Sequence, residues 1–296
     1  MLVKLRSYIC KAGNKVLTIL FWMCMVVTLW IALQIFCFTS FSIPTDSMQP
    51  ALLPGDKIIV NKLAFGGRLF NLTAAAENKP VHIYRMPGFQ KIKRNDVLVF
   101  NFPYPGRWDS IAFDLMKYYV KRCVALPGDT FSIVNAHYYV KGCSDALGNM
   151  ESQDNLLALL NEGTHKEIYL KGYPHDSLVD WNIRNFGPLY VPAKGSVVIM
   201  NQMNAILYKQ LIEYEQNMKM TISGDTVFLN NRPIKWYQFR QNYYFMAGDK
   251  TRDSQDSRYW GLLPEEFIVG KAALIWKSVK PGTSKCEWKR LFKSIE

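Results

Sequence analysis

The sequence predicts a mainly β protein: a β-rich catalytic domain with an inserted second lobe, preceded by one N-terminal transmembrane α-helix. Three observations carry this expectation. An uncharged apolar run of 23 residues extends from Val16 to Phe38. Short β-like runs then recur between Gly, Pro and Asn turns, and a polar stretch of mixed order interrupts them from Gly142. At 296 residues, 49% hydrophobic and 14% aromatic, the chain is long and apolar enough for an anchor plus a sizeable core, and its composition excludes disorder.

At ~1.5 Å per residue the Val16 to Phe38 run spans a ~30 Å hydrocarbon layer with some tilt. A cleaved leader usually has an apolar stretch of only ~7 to 15 residues, so the segment reads as a permanent anchor. Lys4, Arg6, Lys11 and Lys15 precede it without an acidic residue, which keeps residues 1–15 in the cytoplasm and puts residues 39–296 on the outer side. Strands are expected at Lys57 to Asn61, Asp96 to Phe102, Tyr118 to Ala125, Thr130 to Val134, Tyr138 to Val140, Ser196 to Met200, Thr226 to Leu229 and Phe267 to Trp276. Two similar stretches, G-D-T-F-S-I-V-N from Gly128 and G-D-T-V-F-L-N-N from Gly224, read as turn-plus-strand units. The accessory lobe is expected at about residues 142–245, with helices around Asn155 to Leu160 and Ala205 to Tyr214.

The net charge of +12 is spread along the chain without a nucleic-acid-binding module, so attraction to a membrane surface explains it better than nucleic acid does. Between Lys277 and Lys293, Trp288, Leu291, Phe292 and the following Ile295 fall at helical spacing. They predict an amphipathic helix that lies on lipid or docks on its own domain. The aromatic stretch from Asn101 to Trp108 is expected either at the lipid interface or packed on its sheet. Cys123 and Cys143 could pair in an oxidising compartment, but no recognised spacing demands it. His82, His137, His165 and His175 are isolated and expected at the surface, and neither metal nor cofactor is anticipated.

Chemistry enters at S-I-P-T-D-S-M-Q-P-A-L-L-P-G-D, residues Ser42 to Asp56. It places Ser47, a candidate nucleophile, with only eight residues between it and Phe38, within about 30 Å of the membrane exit. A serine hydroxyl needs a base, and a lysine serves if desolvation keeps its amine neutral. Lys121 lies in the apolar run Tyr118 to Ala125, although most lysines so flanked snorkel to water.

Three motifs in order, Ser42 to Asp56, Y-V-K-R-C-V-A-L-P-G-D from Tyr119 and G-D-K-T-R-D-S-Q-D-S-R-Y-W-G from Gly248, together with the strand Asn95 to Phe102, resemble the type I signal peptidases. These are membrane-bound bacterial serine proteases with a Ser/Lys dyad. The resemblance implies a signal-peptidase-like β-fold in which Ser47 is the nucleophile and Lys121 the general base. Thr45 would help the Ser47 N–H hold the oxyanion, Ser254 would orient the lysine, and Asp256 and Arg258 would form a supporting ion pair. Ile43, Pro44, Met48, Leu52, Tyr119 and Val120 match residues lining the pockets for small substrate side chains. It further implies cleavage of signal peptides from exported preproteins without a cofactor, at the bacterial inner membrane. Membrane lipid and the secretion translocon would be the other partners. Lys250 departs from the family pattern, which usually has Asn there. A related Ser/Lys protease dedicated to a narrow substrate is one alternative, and the Lys250 departure leaves open another, a catalytically weak membrane-tethered binding protein.

Overall fold

The computed structural model describes residues 2–295, apart from 78, 80, 107, 164–169 and 284. The N-terminal helix is Leu2–Phe36, and its segment Gly13–Phe36 contains an 18-residue stretch of mean hydropathy 2.5, none of it buried inside the protein. Hydroxyls inside this apolar helix find partners locally: Thr18 Oγ1 donates to the Asn14 carbonyl and Thr28 Oγ1 to that of Cys24. The helix ends two residues earlier than the apolar run, because Phe38 already belongs to a strand. Cys37 alone joins the two elements, and Lys62 Nζ donates to the last-turn carbonyls of Gln34 (2.8 Å) and Ile35 (3.3 Å), where a cation meets the negative end of the helix.

The central sheet has eight strands. In spatial order, seven are Phe38–Ser42, Asp56–Asn61, Ile268–Ser278, Val97–Asn101, Tyr118–Ala125, Tyr243–Ala247 and Leu263–Pro264; Lys293–Ser294 adds to Ile268–Ser278. Every pairing is antiparallel. The central strands Val97–Asn101 and Tyr243–Ala247 are buried along their whole length, so they read as continuous apolar runs rather than alternating ones. One apolar cluster of the core gathers Ile43, Met48, Leu52, Ile58, Val60, Val97, Val99 and Val269. Another gathers Leu98, Phe100, Phe102, Tyr104, Cys123, Met246, Trp260 and Phe267.

Residues 126–242 connect the neighbouring strands Tyr118–Ala125 and Tyr243–Ala247. This connection contains a three-stranded sheet of His137–Val140, Thr130–Val134 and Phe186–Tyr190, while Tyr243–Ala247 belongs to the central sheet. The two helices are longer than their apolar faces suggested, Met150–Asn161 and Gln202–Gln216. Each starts on an asparagine whose side chain accepts from the first turn: Asn149 from Ser152 N, Asn201 from Asn204 N. The similar stretches at Gly128 and Gly224 both turn at a positive φ and start a strand two residues later, at Thr130 and Thr226.

The C-terminal segment is not the amphipathic helix its spacing suggested. Among its described residues it holds an isolated bridge between Val279 and Cys286 and a 3-10 turn, Trp288–Arg290, before Lys293–Ser294 joins the sheet and Ile295 enters the core. The turn is pinned by Arg290, which grips the buried Asp56 carboxylate. The Asn101 to Trp108 stretch packs on its own sheet: Phe102 stacks on Tyr119 with ring centres 4.3 Å apart, and Tyr104 is buried. Cys123 and Cys143 are unbridged. His137 pairs with Asp154 and His175 with the Tyr259 carbonyl, while His165 lies outside the described residues.

Candidate active site

The serine turn is built on its own backbone. Ile43 N donates to Asp56 O and Gly55 N to Ile43 O, closing residues 43–55 into a loop at the end of the first two strands. Asp56 accepts from Leu53 N and from Arg290, which also reaches the Ala51 carbonyl, so the C-terminal segment clamps the loop. Ile43, Met48 and Leu52 sink into the apolar core and fix the turn from behind, leaving Ser47 half-buried and Pro44 and Thr45 exposed.

Lys121 is delivered by sheet register. It lies opposite Leu98, while its neighbour Arg122 lies opposite Ala247, which places the Gly248 motif beside the lysine. Only 4% of Lys121 is exposed, and its Nζ is 2.5 Å from Ser47 Oγ. Burial lowers its pKa to about 8; Asp256 opposes that shift, Arg258 adds to it, and Asp249 and Asp253 oppose it more weakly. Tyr119 and Val120 are half-buried on the same strand, and the Tyr119 ring centre lies 5.8 Å from the Lys121 amine.

The third motif wraps the pair. Gly248 N donates to Asp256 Oδ2, and Lys250 N donates to the Ser47 carbonyl at 3.1 Å. A Cβ at Gly248 would stand 2.1 Å from Ser254 Oγ and 2.7 Å from Ser47 O, so the glycine allows the two serine segments to meet. Ser254 Oγ is buried without a hydrogen-bond partner among the described residues, and it does not bond Lys121 in this arrangement. Arg258 and Asp256 form a bidentate pair at 2.8 Å on both arms, fully buried. Burial pushes the Asp256 carboxyl up, but Arg258, the Gly248 N–H and Lys121 outweigh it and hold the group below the usual carboxylate range.

Three participants escaped the sequence reading. Arg122 and Asp249 form a second buried bidentate pair, 2.7 Å on both arms, directly beside Lys121 and Gly248. Asp46, adjacent to the candidate nucleophile, binds the Lys250 amine, which also reaches Asp253 at 3.1 Å. The atypical lysine is thus engaged with carboxylates and leaves the Ser47–Lys121 contact undisturbed. Arg122 and Asp249 stood inside the quoted motifs, but only the register shows that they meet.

A serine hydroxyl bonded to a desolvated amine is an arrangement for nucleophilic attack with proton transfer to the amine. Among the described residues no group of three His, Cys, Asp or Glu side chains is placed to hold a metal ion. A cleft of about 680 Å³ lined by Phe65, Arg85, Lys91, Asn242 and Glu265 shares no lining residue with the Ser47–Lys121 pair.

Residues 15–277 match the family described as "Signal peptidase, peptidase S26". The chain is 28% identical over 243 residues to a signal peptidase I of Buchnera aphidicola subsp. Schizaphis graminum, covering 82% of this chain and 69% of that relative. It is 27% identical over 262 residues to the signal peptidase I of Pseudomonas aeruginosa, covering 84% and 68%. Among solved structures it is similar to a signal peptidase I from Enterococcus faecalis V583, at 16% identity and a TM-score of 0.28, over 62% of this chain and 97% of that one.

Proposed function

The chain belongs to the signal peptidase family, peptidase S26, and from that premise we propose that it removes signal peptides from exported preproteins with a Ser47/Lys121 dyad. The observation that carries the reading is the 2.5 Å contact between Ser47 Oγ and the buried Lys121 amine. In this mechanism the neutral amine takes the Ser47 proton as Oγ attacks the scissile carbonyl carbon. It then gives that proton to the departing amine, and it activates the water that hydrolyses the acyl-enzyme.

The Ser47 N–H and the exposed Thr45 hydroxyl receive the oxyanion, and Ser254 orients the lysine amine during the transfers. Asp256 and Arg258 hold the motif that carries Ser254. Ile43, Pro44, Tyr119 and Val120 border the substrate strand, while the buried Met48 and Leu52 set pocket depth from behind. The apolar helix anchors the enzyme in the bacterial inner membrane by a single pass, with its basic N-terminus cytoplasmic and the dyad on the outer face. Membrane lipid surrounds the anchor, and the secretion translocon supplies the substrate.

The test is cleavage of a preprotein by the full chain in detergent, compared with Ser47→Ala and Lys121→Met. Both variants are expected to be inactive, and full activity in either would end the dyad mechanism. Labelling of single cysteines placed before and after the helix checks the orientation, with only the downstream position reacting from the outside.

A further inference from the structure

A general base is useful only while it is unprotonated, yet Lys121 stands among carboxylates that favour its ammonium form. Asp256, Asp249 and Asp253 all act on it in that direction, and the Lys121 charge is itself among those that hold the Asp46 carboxyl below its usual range, after the larger effect of Lys250. Arg258 opposes them, and each of these carboxylates is fastened to a cation. Arg258 grips Asp256, Arg122 grips Asp249, and Lys250 binds both Asp46 and Asp253.

The two arginine pairs are buried, but the Lys250 cluster sits at the partly exposed mouth, with Lys250 32% and Asp46 39% exposed. Asp46 is covalently next to Ser47, the residue whose hydroxyl meets the Lys121 amine. Lys250 is tied to the same turn through its backbone, by its N–H to the Ser47 carbonyl. Cation and carboxylate are therefore both tied to the turn that bears the nucleophile.

We propose that Lys250 is a positioning residue for the general base, a counter-charge that prevents the Asp46 and Asp253 carboxylates from holding Lys121 in its protonated form. The proposal rests on the Ser47/Lys121 reading above. It turns the atypical Lys250 from a blemish in the motif into the complement of an acidic residue placed beside the nucleophile. A purely structural strut would be needed equally at every pH. A counter-charge is needed most on the acidic side, where protonation of Lys121 limits the rate.

The experiment is the pH dependence of kcat/KM for preprotein cleavage by the full chain in detergent. Lys250→Gln leaves two uncompensated carboxylates near the base, so the acidic limb is expected to move up by about 0.5 to 1 pH unit, with activity converging on wild type above the limb. Adding Asp46→Asn in the Lys250→Gln background removes one of those charges and moves the limb back toward wild type. Asp46→Asn alone, which keeps the turn, moves it below wild type, and Lys250→Arg preserves the wild-type limb. An unmoved limb in Lys250→Gln, an unchanged shift in the double variant, or an upward or absent shift in Asp46→Asn would overturn the proposal. The Asp46→Asn arm decides the matter even if Lys250→Gln does not fold. Lys121→Met serves as the control: a wild-type limb in that variant would remove the base assignment and the proposal with it, whereas an inactive Lys121→Met beside an unmoved Lys250→Gln limb removes the proposal alone.

Discussion

Arg122 and Asp249 join the strand that carries Lys121 to the loop that carries Ser254, through two 2.7 Å arms buried from solvent. They stand on separate elements, so their bond acts as a fastener across the site rather than as a local turn. Asp249→Asn keeps the shape but leaves the guanidinium buried without its counter-charge. The expected cost is about 3 to 5 kcal/mol in chemical denaturation, accompanied by lower cleavage.

Lys121 burdens the fold it serves. Its folded-state pKa is depressed to about 8 against an ordinary 10.5, so below pH 8 both folded and unfolded states hold the proton and the burial penalty is complete. Between pH 8 and 10.5 the folded state has released its proton while the unfolded state keeps it, and stability rises with pH. Lys121→Met is therefore expected to be inactive yet more stable at pH 7, by up to about 3 kcal/mol. The difference from wild type should shrink as pH climbs through that window, as measured by denaturation at several pH values.

The same titration governs the reaction. Wild-type kcat/KM should rise with pH through an acidic limb near the Lys121 value of about 8, well below the range of a solvated lysine. A limb near 6.5, the range of an ordinary histidine, would point to a different base.

Ser254 Oγ is buried without a hydrogen-bond partner among the described residues, which makes its removal informative. Ser254→Ala deletes an unsatisfied hydroxyl, so the melting temperature should hold or rise. If the hydroxyl orients the amine during transfer, kcat should fall by about 10²-fold with little change in KM. A fall in melting temperature with kcat intact would reassign the serine to packing.

Gly248 tests the approach of the two serine segments. A methyl group there would press on Ser254 Oγ and on the Ser47 backbone carbonyl at distances of 2.1 and 2.7 Å, well inside contact. The backbone oxygen cannot swing away as a flexible side chain would. Gly248→Ala is expected to lose both stability and cleavage, whereas Ser254→Ala loses cleavage alone.

The strands Tyr118–Ala125, Thr130–Val134 and Thr226–Leu229 were legible because turn residues bracket short β-branched and aromatic runs. Phe38–Ser42 was not, since it continues an apolar helix without a Gly or Pro to mark the change. Tyr243–Ala247 also went unread, because a strand buried on both faces shows no alternation. Ser47 and Lys121 were readable as candidates from motifs, and the structure brings their side chains together. Their charged surroundings were not: Asp46 and Lys250 are 204 positions apart, Arg122 and Asp249 127, and ion pairing across such distances leaves no periodic trace. In the C-terminal segment the aromatic spacing fitted a helix, but Arg290 is held by Asp56 and Ile295 enters the core, and tertiary contacts overrode the local pattern.

The passage from Phe36 to Phe38 through Cys37 alone, with Lys62 fastened to the last carbonyls of the helix, gives the junction little play. In the proposed setting the sheet then stands on the bilayer like a gauge on a bench, and the serine turn at its end is the mark at a fixed height. Choice of bond in such an enzyme is partly metric: a peptide is cut where its exit from the lipid brings it level with Ser47, as well as for the side chains that flank the cut. Lengthening or shortening the joint at Cys37 would recalibrate the gauge without touching a single group of the chemistry.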